Sequence, residues 1–152
     1  MRIVYTDEVE RPGLNAKSMP LEELLQTSDF VSLHVPLVPQ TRQLINEKAF
    51  QMMKRTAYLI NAARGPIVDT KALVHALKEG QIAGAGLDVT DPEPLPADHP
   101  LYSLPNCLIV PHIGSATMNT RRRMAELACE NLLAGLDGRR LPNCVNPEVY
   151  KA

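Results

Sequence analysis

The stretch Ala57-Tyr58-Leu59-Ile60-Asn61-Ala62-Ala63-Arg64-Gly65-Pro66-Ile67-Val68-Asp69 decides how this chain is read. Its first part is an apolar run of the kind that forms a buried strand. It stops at a guanidinium, turns through Gly65-Pro66 and reaches an acid suited to start a helix. Strand–turn–helix units build open parallel sheets, whose ligands gather beyond the carboxyl ends of the strands. Arg64 stands at such an end, where its planar fork can hold a carboxylate through two parallel hydrogen bonds.

The same alternation continues on either side. Arg2–Thr6 reads as a short strand closed by Asp7, and Glu8–Met19, punctuated by Pro12 and Gly13, as a loop. Pro20–Leu25 has the apolar spacing of a short helix, and Phe30–Val35 is a second strand stopped by Pro36 and Pro39. Asn46 is placed to cap a helix over Glu47–Met53, and Ala57–Asn61 is the third strand. Asp69 caps the next helix, with Leu73, Ala76 and Leu77 on its apolar face and Gly80 at its end. A fourth strand over Ile82–Val89 carries Gly84 and Gly86, a sign that another backbone or a ligand comes close. After the proline-rich Asp91–Pro96, a fifth strand, Cys107–Val110, ends at Pro111-His112. A long helix over Thr117–Leu136 aligns Met124, Leu127, Ala128, Leu132 and Leu136 on one stripe and stops at Gly138; Leu141–Ala152 is expected to be irregular. The pattern predicts an α/β protein with a parallel sheet and right-handed crossovers.

The 152 residues suffice for one domain with its own core, and 45% hydrophobic with 22% charged residues is ordinary for a globular chain. A net charge of −1 leaves no electrostatic footprint for nucleic acid or an anionic membrane surface. No apolar run approaches the length of a membrane span, and the first residues lack the apolar region of a signal peptide. Cys107, Cys129 and Cys144 have no metal-ligand spacing and read as isolated thiols, so a cytoplasmic location and no metal are expected.

Unusual polar groups mark three strand ends: Arg64 after the third, Asp88 and Glu93 after the fourth, His112 after the fifth. In a parallel sheet these ends open onto one crevice. An arginine for a carboxylate, a histidine for a proton and an acid beside the histidine form a set suited to 2-oxo acids. Taken singly, each has a plainer reading: a surface ion-pair residue, a solvated loop acid, a structural histidine. His34, His75 and His99 read as structural or exposed, and Arg121-Arg122-Arg123 as a solvated helix face.

Taken together, the segments are specific. Ser28–Leu37 (SDFVSLHVPL), Asn61–Gly65 (NAARG), Ala83–Val89 (AGAGLDV), Glu93–Pro96 (EPLP) and Pro111–Thr117 (PHIGSAT) make the chain resemble the D-isomer-specific 2-hydroxyacid dehydrogenases, in particular their glyoxylate/hydroxypyruvate reductase branch. The resemblance covers nearly all of this chain but only about the second half of a typical member. It implies a partial Rossmann-like, doubly wound dinucleotide-binding domain that lacks its first βα unit. Residues 1–137 would form it, long helix included, with 138–152 a tail that packs on an absent substrate domain.

By the same resemblance the chain is an oxidoreductase reducing a small 2-oxo acid, such as glyoxylate or hydroxypyruvate, to the D-2-hydroxy acid with NAD(P)H. Arg64 would bind the substrate carboxylate, His112 would donate the proton and Glu93 would pair with His112. Asp7, Val35, Pro36, Thr41, Ala62, Ala63, Asp88 and Gly114 would contact the dinucleotide. Asp7 followed by Glu8 favours NAD over NADP, because an acid there receives ribose hydroxyls and repels a 2′-phosphate; Arg11 is the counter-indication that keeps NADP as second candidate. No G-x-G-x-x-G turn occurs in the chain, so the isolated chain is expected to have little or no activity, and the parent is expected to be a homodimer. The alternatives are an NAD-sensing, corepressor-like binding protein and an inactive truncated chain.

Overall fold

The computed structural model describes residues 1–150, and the expectation for the last two residues of the tail lies outside them. Two compact units part at His112–Ile113, ahead of the boundary expected after residue 137.

In the first unit, β1 (Val4–Tyr5) pairs in parallel with β2 (Lys17–Ser18). The polar loop expected over Glu8–Met19 therefore contains a strand. Its side chains are exposed and carry no β-pattern, but its backbone meets that of β1 through Lys17 N–H to Ile3 O (3.2 Å) and Met19 N–H to Tyr5 O (2.9 Å). The helix α1 (Leu21–Thr27) follows, burying Leu24 and Leu25.

The main sheet has four parallel strands in sequence order: β3 (Phe30–Leu33), β4 (Tyr58–Asn61), β5 (Gly84–Leu87) and β6 (Cys107–Ile109). Its register sets two faces. The rows Val31–Leu59–Ala85 and Leu33–Asn61–Leu87 face the core, which α1, α2 (Glu47–Met52) and α3 (Thr70–Lys78) complete with Leu25, Phe50, Leu73 and Leu77. On the other face Phe30 and Tyr58 stack at 5.6 Å and are exposed, as is Leu108.

The caps form as the sequence predicts. The Asn46 side chain accepts from Ala49 N–H, the Asp69 side chain from Lys71 and Ala72 N–H, and Gly80 lies just past α3 at φ +61°. The fourth strand is shorter than Ile82–Val89 as a strand, yet backbone bonds run past its ends, from Ala83 N–H to Ala57 O (2.9 Å) and from Asp88 N–H to Asn61 O (2.8 Å). Gly84 answers to protein rather than ligand: a Cβ there would sit 2.9 Å from both the Asn106 carbonyl oxygen and the Tyr58 ring. Cys107, Cys129 and Cys144 are free thiols, and burial pushes Cys107 up to about 11.

The second unit begins at Ile113 and carries α4 (Met118–Leu136) and the chain after it. Thr117 caps α4 by accepting from Thr120 N–H, and Gly138 follows its end at φ +68°. Helix and tail hold one another through Asn143 N–H to Asn131 Oδ1 (3.0 Å), and Arg140 lies over the Tyr150 ring at 5.5 Å. The tail is not wholly irregular, since Pro147–Tyr150 makes one 3-10 turn. Within the expected stripe, Met124, Ala128, Leu132 and Leu136 are exposed and Leu127 is half-buried. Burial falls instead on Ala134, to whose carbonyl the returning Arg139 N–H donates (2.8 Å). Arg122 and Arg123 pair with Glu126, and Arg123 also with Glu130, as a solvated face does. No helix among the described residues is long and apolar enough to cross a membrane.

Candidate active site

The turn after β4 is closed by its own last residue. Asn61 is buried at 1% exposure; its Nδ2 donates to Arg64 O (3.0 Å) and its Oδ1 accepts from Ala63 N–H (3.1 Å). Both ends of the amide are satisfied, so the polar group can sit in the core without an unpaired partner. Arg64 follows with its side chain exposed and its Nη1 donating to Ala63 O at 2.6 Å. A permanently charged guanidinium is thus presented at a strand end on a backbone that Asn61 holds fixed. In the sequence Asn61 is no more than the end of a strand. The signal it does carry is that of an amide closing an apolar run just before the arginine.

Gly65 then allows a close approach. A Cβ at this position would overlap the Thr90 carbonyl and lie 2.8 Å from Asp91 N, so only glycine lets the Arg64 turn rest against the segment leaving β5. That segment runs from buried Val89 to buried Leu95 and carries Glu93. The Thr90 hydroxyl donates to Pro92 O (2.9 Å), and the Thr70 hydroxyl, from the first turn of α3, donates to Asp91 O (3.1 Å).

His112 arrives from β6, whose end is tied to β5 by Val110 N–H to Leu87 O (2.9 Å). Its backbone is in the left-handed region at φ +53°, with its N–H bonded to Val110 O at 3.0 Å. That conformation is uncommon for a non-glycine residue, although histidine tolerates it better than most, and such strain clusters at functional sites. Here it coincides with a side-chain contact: His112 Nδ1 lies 2.7 Å from Glu93 Oε1. Both side chains keep about half their surface open, at 51% and 42%. With Nδ1 engaged by the carboxylate, Nε2 is the nitrogen left to exchange a proton.

The structure therefore brings Glu93 and His112 into direct contact and sets Arg64 on the neighbouring strand end, joined to the Glu93 segment through Gly65 and Thr90. Asp88 is half-buried at the end of β5. A groove of about 490 Å³ opens at the ends of β3 and β4, lined by Val35, Pro36, Ala62, Ala63 and Arg64 among others. Four of the expected dinucleotide contacts thus share one wall. The groove is open and bounded largely by small and apolar side chains, which fits a flat, extended ligand such as a dinucleotide.

The remaining expected contacts lie outside that lining. The Thr41 hydroxyl is engaged within its own loop, donating to Pro36 O (2.6 Å) and accepting from Val38 N–H (2.9 Å). Asp7, after β1, forms an ion pair with Arg11 Nε at 2.8 Å; the Arg11 hydrogen bond, followed by one from Val9 N–H, holds its carboxyl below the usual range. Gly114 belongs to the second unit. Of the other histidines, His34 Nε2 meets Ser32 Oγ at 2.8 Å, His99 Nδ1 accepts from Leu101 N–H at 3.3 Å, and His75 is exposed on α3. Among the described residues no three His, Cys, Asp or Glu side chains gather as a metal site would require.

Comparison with known proteins gives a consistent set of likenesses. The family model described as D-isomer specific 2-hydroxyacid dehydrogenase, NAD binding domain, matches residues 1–114. A protein named glyoxylate reductase from Thermofilum pendens is 54% identical, over 99% of this chain and 46% of its own length. Among solved structures, the TT0316 protein of Thermus thermophilus superposes with a TM-score of 0.92 at 59% identity, covering 95% of this chain and 46% of that one. D-lactate dehydrogenase of Lactobacillus jensenii, solved with NAD+, gives 0.85 at 34% identity, covering 95% of this chain and 48% of that one. The chain spans about half the length of the relatives it matches.

Proposed function

Because the chain belongs to the D-isomer-specific 2-hydroxyacid dehydrogenase family, whose NAD-binding domain it carries, we propose that it supplies the proton-donating and carboxylate-binding side of a reductase for small 2-oxo acids, with glyoxylate and hydroxypyruvate as first candidates. The observation that carries this reading is the 2.7 Å contact between His112 Nδ1 and Glu93 Oε1 beside the Arg64 turn. A bound nicotinamide dinucleotide supplies the hydride. Val35, Pro36, Ala62 and Ala63 would hold it along the groove, and Asp7, Thr41, Asp88 and Gly114 are further proposed contacts. NAD is the first choice and NADP the second.

The chain's own residues do the rest. Arg64 takes the substrate carboxylate in its fork and so orients the adjacent carbonyl. His112, protonated, gives its Nε2 proton to the carbonyl oxygen as charge develops there, and keeps the proton on Nδ1 that Glu93 accepts. In the reverse direction bare Nε2 takes the hydroxyl proton. Glu93, accepting from Nδ1–H, sets the ring's orientation. A cytoplasmic location and a homodimeric parent complete the proposal.

The test joins this chain to the part of the Thermofilum pendens relative that it does not cover and follows NADH oxidation with glyoxylate, hydroxypyruvate and pyruvate. Reduction of the first two is expected, with His112→Ala lowering turnover by roughly 10²- to 10⁴-fold. Full turnover by H112A would overturn the assignment, and the isolated 152-residue chain is expected to show little or none.

A further inference from the structure

The Glu93–His112 pair is about half exposed, so burial does not hold it together. Something must fix the segment on which Glu93 rides. Pro92 and Pro94 have no backbone N–H, so the sequence Asp91-Pro92-Glu93-Pro94 cannot close an ordinary hydrogen-bonded turn through those positions. Two hydroxyls take the carbonyls instead. Thr90 Oγ1 donates to Pro92 O at 2.9 Å from within the segment, and Thr70 Oγ1 donates to Asp91 O at 3.1 Å from the start of α3. One residue before Thr70, Asp69 caps α3 with its side chain, so the second hydroxyl stands on a well-anchored helix start.

We propose that Thr70 and Thr90 are positioning residues that act through Glu93 to set the tautomer of His112, a role that rests on the reading of Glu93 and His112 as the proton-handling pair. With the segment in place, Glu93 Oε1 accepts from Nδ1–H, and the neutral ring keeps Nε2 bare to receive the next proton. Without it, the ring reverts to the Nε2–H form that an unconstrained imidazole prefers, and the nitrogen needed for proton uptake is blocked. Neither threonine is hydrogen-bonded to the ring. Their effect travels through the Asp91 and Pro92 carbonyls.

Long-range 1H–15N correlation spectra of the 152-residue chain, taken at a pH where the ring is neutral, read the His112 tautomer directly. The wild-type chain is expected to hold mostly Nδ1–H, and Glu93→Ala mostly Nε2–H. Thr70→Val with Thr90→Val, close in volume but without the hydroxyls, is expected to move the ring toward Nε2–H while the amide signals of the sheet stay in place. Each single valine variant should move it part of the way, and these decide the matter if the double variant does not fold. Serine at both positions, which keeps the hydroxyls, should restore the wild-type ratio. A wild-type ratio in the valine variants, with E93A still responsive, overturns this role and leaves the proton-handling pair standing. An unresponsive E93A overturns both.

Discussion

The two segments that bear the candidate chemistry are held in opposite ways. The turn after β4 is held from inside: a buried amide, Asn61, bonds its backbone at both ends, and Gly65 packs against the next strand's exit. The segment after β5 is held by hydroxyls instead, Thr90 from within it and Thr70 from the start of α3, on the carbonyls of a proline-rich run whose carboxylate is half exposed. The difference suits the two tasks proposed for them. A guanidinium is always charged and needs only a fixed base, whereas a carboxylate steering an imidazole must itself be aimed. Buried polar groups that lose a partner are expensive, while exposed hydroxyl bonds contribute little to stability. The turn should therefore be sensitive in stability and the segment sensitive in chemistry.

Gly65→Ala attacks a contact that both share. Its methyl would overlap the Thr90 carbonyl, so backbone must shift, and a loss of about 3 kcal/mol in urea unfolding is expected. Asn61→Leu comes next. It leaves Ala63 N–H without its Asn61 partner and Arg64 C=O with only the long bond from Ile67 N–H (3.3 Å), at a cost of about 2 kcal/mol, read the same way. A loss under about 0.5 kcal/mol in either variant would show that the inside-held turn is no stiffer than the segment beside it.

Most of the frame is legible in the amino-acid sequence. Apolar runs bounded by proline and glycine locate β3 to β6, and Asn46 and Asp69 mark their helix starts because a short polar side chain can satisfy free N–H groups there, whereas Thr117, expected as the first residue of α4, is its cap. β2 is not legible, since Lys17–Ser18 joins β1 by backbone alone. The periodic stripe of α4 predicts an amphipathic helix, but periodicity does not say which turn the chain returns to, and the buried position is Ala134. The pairing of Glu93 with His112 follows from likeness to a family rather than from spacing, because the two meet only once β5 and β6 are side by side. The roles of Asn61, Thr70 and Thr90 are hidden for one shared reason. Each works on backbone carbonyls, which every residue has and no sequence distinguishes.

The smallest expected effect concerns an exposed ion pair. Asp7 and Arg11 form an exposed pair, and the Asp7 carboxyl lies below its ordinary 3.8 chiefly because Arg11 donates to it. A depressed carboxylate contributes stability that is present above the unfolded value and lost as pH falls through the folded one. The Asp7 titration followed by carbon NMR should therefore move to higher pH in Arg11→Gln, and the acid-side slope of stability below about pH 4 should flatten slightly. An unmoved titration would show that the pair does not form in solution.

The central claim is a division of labour, with the carboxylate held by the β4 turn and the proton handled by the β5 and β6 exits. Steady-state kinetics with glyoxylate, on the chain joined to the uncovered part of its Thermofilum pendens relative, test it most directly. Arg64→Gln is expected to raise KM by roughly 10- to 100-fold with a smaller change in kcat, since a charge-assisted contact to substrate is lost. His112→Gln is expected to lower kcat by roughly 10² or more with KM nearly unchanged. If R64Q leaves KM as it was, or H112Q leaves kcat as it was, the division of labour is wrong.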